Sequence, residues 1–120
     1  MVEGSFVQNL PWIPVTVANN HAVQTPHFVL DTGFTGDLQV TNKIATELGL
    51  VVSGVTPARI ANGVIVEVPT ALAVASMQGM NRNVQVMISD SMPLAGISFL
   101  TKFEYTATVD CKNRTVVLTP

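Results

Sequence analysis

The sequence reads as a mainly β protein, a small closed or sandwiched barrel carrying one or two short helices. Three observations lead there. Apolar residues alternate with others in short runs, as Ile13, Val15 and Val17 do around Pro14 and Thr16. Asn62-Gly63 lies between two β-rich runs, and both residues tolerate the positive φ that a tight hairpin requires. Helical patterning is confined to two short stretches.

Each element has its own justification. Residues 13–17 form a half-buried strand, and Asn19-Asn20 turns the chain into a second strand from Ala22 to Leu30. Pro26 interrupts that strand, and a residue without an N–H marks an edge or a bulge. Phe28-Val29-Leu30 is a continuous apolar triplet running into Asp31-Thr32-Gly33, and Leu38-Gln39-Val40 is another short strand. Asn42 to Leu48 is the best helix: Thr41 or Asn42 can cap it, and Ile44, Ala45 and Leu48 share one face. Gly49 then stands where a left-handed C-cap belongs. Val55 to Ala61 and Val64 to Val74 flank the Asn62-Gly63 turn. Gln78 to Asn81 reads as a turn, Val84 to Ile88 as a strand and Ile97 to Phe103 as a short helix. Glu104 to Asp110 and Thr115 to Thr119 close the chain as a hairpin around Lys112-Asn113.

Composition bounds the function. A chain of 120 residues predicts one domain, residues 1–120, that buries roughly two-thirds of its unfolded surface. Charged residues are 12%, against roughly 25% in an average soluble domain, while apolar residues are 48%. Six Lys+Arg against eight Asp+Glu cannot build a basic patch, which argues against nucleic-acid binding. So little charge implies that another subunit or a ligand covers some apolar surface. The single cysteine, Cys111, excludes an intrachain disulfide and a thiol cluster for zinc, and it reads as a small core residue in a reducing, cytoplasmic setting. Met1 to Ser5 lacks the basic-then-apolar pattern of a signal peptide. No apolar run approaches the roughly 20 residues that span a bilayer, so no membrane contact is expected.

The chemistry centres on Asp31-Thr32-Gly33. Three apolar residues drive a strand into the interior and leave an aspartate at its end, where glycine lets the backbone turn. Two such carboxyls face to face share one proton, so one acts as base while the other acts as acid. The plain alternative is a strand-end turn whose aspartate accepts backbone N–H bonds.

Around that motif the chain resembles the retropepsin-like aspartic proteases, most closely the small prokaryotic group marked by Asp-Thr-Gly-Phe. The likeness runs through Phe28-Val29-Leu30-Asp31-Thr32-Gly33-Phe34-Thr35-Gly36-Asp37-Leu38 and the helix ending Glu47-Leu48-Gly49-Leu50. Ala61-Asn62-Gly63 stands at the place of the flap hairpin, and Leu94-Ala95-Gly96 resembles the hydrophobic-hydrophobic-Gly element behind the catalytic loop.

That resemblance implies a barrel subunit working as a homodimer, with Asp31 supplied by each copy, because Asp37, Asp90 and Asp110 lack the Thr/Ser-Gly context. It implies a water-mediated aspartic endopeptidase that needs no metal or cofactor. Asp31, Thr32 and Gly33 would form the catalytic motif, with Asp31 doing the chemistry, Thr32 bracing the two loops across the dimer axis and Gly33 binding substrate backbone. Phe34, Ala61, Asn62 and Gly63 would contact a peptide or protein substrate. An inactive barrel acting as a peptide-binding or assembly module is the second expectation.

Departures from the family pattern are local. Viral members carry a small residue at the place of Phe34 and an acidic residue at the place of Thr35, paired with an Arg where this chain has Ile97. Both partners of that ion pair are absent together, so neither charge is left alone. Ala95 is smaller than the usual bulky residue. His21 and His27 read as loop and surface residues rather than a metal pair, and Met77, Met80, Met87 and Met92 as packing. Asn113-Arg114-Thr115 reads as a hairpin turn that spells a glycosylation sequon.

Overall fold

The computed structural model describes residues 1–59 and 62–120. In chain order its strands begin with β1 (Val2–Glu3), β2 (Ser5–Val7), β3 (Leu10–Pro14), β4 (Thr16–Asn19), β5 (Ala22–Gln24), β6 (His27–Leu30) and β7 (Leu38–Val40). Helix α1 (Asn42–Glu47) precedes β8 (Val52–Arg59), β9 (Ile65–Met77), β10 (Met80–Ile88) and β11 (Leu94–Ala95). Helix α2 (Ile97–Phe103), β12 (Thr106–Asp110) and β13 (Thr115–Thr119) follow.

Prolines shape the barrel. The arms β3–β4 and β5–β6 form one long hairpin, broken opposite Pro14 and Pro26. Val15 N–H still donates to Pro26 O at 3.1 Å, so the hairpin bends without coming apart. Its outer half then pairs with β9 and its inner half is held by β11. The main sheet runs β2-β3-β6-β11-β7-β10-β9-β4-β5, with β8 on β9, and curls into a half-barrel whose two ends this bent hairpin joins. Ile13, Val15 and Val17, the alternating trio, are fully buried beside Phe28, Leu38, Val40, Val84 and Val86. A second sheet, β1-β13-β12, adds Val116 and Leu118 to the same core.

The expected helices and turns form where their caps lie. Thr41 Oγ1 accepts the Ile44 N–H at 3.3 Å, and Gly49 adopts φ 62° after α1. Asp90 Oδ1 accepts the Asn42 N–H at 2.9 Å, satisfying another free donor of that first turn. The β9–β10 turn is tighter than the Gln78–Asn81 expectation. Gln78 and Gly79 alone have positive φ, 50° and 82°, and Met80 already pairs with Met77.

Cys111 requires correction: it is exposed in the turn after β12 rather than packed in the core. Strands β1 and β2, unexpected from the sequence, pair with β13 and β3. His21 and His27 are exposed, as expected. Among the described residues no helix is long and apolar enough to cross a membrane.

Candidate active site

The apolar triplet places the aspartate. Phe28, Val29 and Leu30 are buried, and β6 pairs in parallel with β11 so that Leu30 lies beside Ala95. The next amide, Asp31 N–H, donates to Ala95 O at 2.9 Å. Beyond it the chain turns on itself. Gly33 N–H donates to Asp31 Oδ1 at 2.9 Å, and Phe34 N–H to Asp31 O at 3.1 Å. A Cβ at position 33 would stand 3.2 Å from that carboxylate oxygen, so glycine gives the turn its room. Asp31 is half-buried, whereas Thr32 and Gly33 are exposed.

The return half of the loop rests on the segment after β11. Ile97 N–H donates to Phe34 O at 2.9 Å, and Gly96 N–H to Asp37 O at 3.0 Å. Gly96 makes this seat possible, because a Cβ there would lie 2.4 Å from both the Phe34 and the Gly36 carbonyl oxygens. The Phe34 ring folds back over the same spot, 2.7 Å from that Cβ position. Leu94-Ala95-Gly96 thus packs behind Asp31 as the sequence motif implied.

One buried contact beside the loop escaped the sequence. Asp37 is only 6% exposed, and its Oδ2 accepts Lys102 Nζ at 2.6 Å and the Gln85 N–H at 2.9 Å. Burial pushes the Asp37 carboxyl upward; the Lys102 hydrogen bond, the nearby Ser98 hydroxyl, the Gln85 N–H and the Lys102 charge outweigh it and hold the group below its ordinary 3.8. Its Oδ1 is buried without a hydrogen-bond partner among the described residues. A lysine in a helix of otherwise apolar spacing, with an aspartate just before a buried strand, was the available signal.

A groove of about 410 Å³ opens beside the loop, lined by Gly33, Phe34, Thr35 and Gly36 on one wall and by Thr56 to Arg59 of β8 on the other. Among the described residues strand β8 pairs only with β9, and Gln85 and Met87 of β10 complete the lining of the groove. Asn62 and Gly63 sit exposed beyond Arg59 and are not among the lining residues, and Ala61 lies outside the described residues. Gly63 has φ 83°, and Asn62 Oδ1 accepts the Val64 N–H at 3.0 Å, the local chemistry of a tight tip. Two other hollows, about 210 Å³ beside α1 and about 420 Å³ beside β4 and β9, have no titratable side chain in their walls.

No protein-family model matches the sequence, and no curated protein does. Solved structures do match. EIAV protease complexed with the inhibitor HBY-793 superposes with a TM-score of 0.67 at 16% identity, covering 82% of this chain and 91% of that one. A retropepsin-like aspartic protease from Rickettsia conorii gives 0.62 at 18% identity, covering 98% of this chain and 87% of its own. At such identities the likeness is one of architecture: the chain has the retropepsin-like aspartic protease fold.

Proposed function

We propose that this protein is an aspartic endopeptidase that cleaves peptide bonds in extended substrates, using one Asp31 from each of two copies. The observation that carries the proposal is the Asp31-Thr32-Gly33 turn, seated on Ala95 and Gly96 beside a groove that Gly33 itself lines, within a fold shared with aspartic proteases. The chain offers one such carboxylate, and the buried Asp37 is already committed to Lys102. A twofold axis through the loops supplies the second.

In this mechanism the ionised Asp31 of one copy takes a proton from water as the oxygen attacks the scissile carbonyl carbon. The protonated Asp31 of the other copy donates to the carbonyl oxygen. Collapse of the tetrahedral intermediate breaks the C–N bond, and the amine leaves with a proton returned from the pair. Substrate binds as an added strand along β8, with Phe34 shaping a side-chain pocket. Thr32 braces the paired loops, and the hairpin tip with Asn62 and Gly63 closes over the substrate. We place the enzyme in the cytoplasm, a setting in which the exposed Cys111 thiol stays reduced.

Peptide-library cleavage across acidic and neutral pH, beside light scattering, tests this. Wild type should give a dimer and a bell-shaped rate profile on the acidic side. Asp31→Asn should abolish cleavage with mass and Tm unchanged, and residual cleavage by that variant overturns the assignment. The neutral Thr35 and Ile97 favour one other reading, a barrel that binds peptide without turnover. Saturable binding with no product would establish it.

A further inference from the structure

We propose that Asp37 and Lys102 are positioning residues, an ion pair that clamps the exit of the Asp31 loop to helix α2 and strand β10 and so sets where the Asp31 carboxylate stands. The loop has two ends to fix. Its entry is tied by β6 and by Asp31 N–H on Ala95 O, both backbone interactions that any sequence of this fold can make. Its exit is tied through a side chain. Asp37 O accepts the Gly96 N–H, while Asp37 Oδ2 reaches Lys102 at 2.6 Å and the Gln85 N–H at 2.9 Å.

Lys102 is itself held. Its Nζ also donates to Asn83 O at 3.1 Å, and its own carbonyl accepts Arg82 Nε at 3.1 Å. The Arg82 guanidinium lies 5.7 Å over the Phe103 ring, fixing α2 against β10. Asp37 is thus the point where loop, helix and strand meet. Thr35 and Ile97, directly in the loop and at the start of α2, carry no charge and make no such link. Lys102 is 39% exposed and Asp37 6%, so losing the ammonium leaves a buried carboxylate with no salt-bridge partner among the described residues. At neutral pH, where the carboxylate stays ionised, the loop relieves that by lifting off its seat; at lower pH, protonation of Asp37 does the same.

Amide hydrogen exchange in the full chain reads the clamp without relying on catalysis. Lys102→Met should speed exchange at Phe34, Gly96 and Ile97 roughly tenfold, the scale of losing one hydrogen bond to a charged group. Amides of the β12–β13 hairpin should be unchanged, and Lys102→Arg should restore the loop. Asp37→Asn combined with Lys102→Met removes the stranded charge. It should recover global stability while the loop stays open, which separates positioning from folding. The catalytic half of the inference rests on the proposed function: kcat of Lys102→Met should fall roughly 10²-fold, with a smaller change in KM. If wild type cleaves nothing, the protease reading fails and the exchange data alone decide the clamp. Loop exchange that is unchanged, that rises in step with the whole molecule, or that Lys102→Arg fails to rescue overturns the proposal.

Discussion

Gly96→Ala should lower Tm by about 8–20 °C, a magnitude that follows from the seat of the Asp31 loop. The backbone at Gly96 has φ −108°, which alanine adopts freely, so the effect is one of space. The added methyl carbon would meet the Phe34 and Gly36 carbonyl oxygens at 2.4 Å, whereas real Cβ atoms essentially never come under 3.0 Å. The loop must retreat by about 0.6 Å or more. That displacement stretches Gly96 N–H to Asp37 O and Ile97 N–H to Phe34 O, now 3.0 and 2.9 Å. Overpacking costs about 1–3 kcal/mol, and each of the two weakened hydrogen bonds adds about 0.5–1 kcal/mol, giving about 2–5 kcal/mol together. For 120 residues 1 kcal/mol moves Tm by about 4 °C. Gly54→Ala is the control, since its nearest neighbour is Thr70 Oγ1 at 3.5 Å, an ordinary contact. It should stay within about 2 °C of wild type. Thermal denaturation followed by circular dichroism measures both. A Gly96→Ala variant as stable as wild type, or a Gly54→Ala variant equally damaged, would refute the account of the loop's seat.

Acid should loosen the protein through Asp37. Its folded-state pKa lies below 3.8, so its stabilising contribution is complete above that value and is lost as pH falls through the depressed one. Asp90 and Asp110, held low by backbone N–H bonds from Asn42 and Asn113, act with the same sign at the surface. In urea denaturation from about pH 6 to about pH 2, Asp37→Asn should start less stable and lose less, and parallel curves would contradict this. Cys111 should react fully with a thiol reagent in the native protein, and Cys111→Ser should leave Tm within about 2 °C. A thiol protected until unfolding would count against its exposed position.

What the sequence disclosed and what it withheld divide along sequence separation. The α1 cap, the bend at Pro26, the tight turns and the α2 span depend on neighbours in the chain, and all were legible. Strands β1 and β2 were not, because two or three residues carry no period and Val2 finds its partner at Leu118. Cys111 was misread because the alternation of β12 ends one residue before it, and a strand boundary decides whether a small residue faces the core or solvent.

The candidate site shows the same division within a single loop. Asp31-Thr32-Gly33 specifies its own turn, since Asp31 Oδ1 and Gly33 N–H are two residues apart, and such a turn forms on many folds. What makes it more than a turn is the surface beneath it: Gly96, which admits two carbonyls, and Lys102, which lies 65 residues from Asp37. Neither residue is remarkable by composition, and a lysine in α2 reads equally well as a solvated surface charge. A chain with the tripeptide but a bulkier residue at position 96 would therefore turn without seating the loop. In this chain Gly96 and Lys102 report the packing under the loop, whereas the tripeptide reports only the turn.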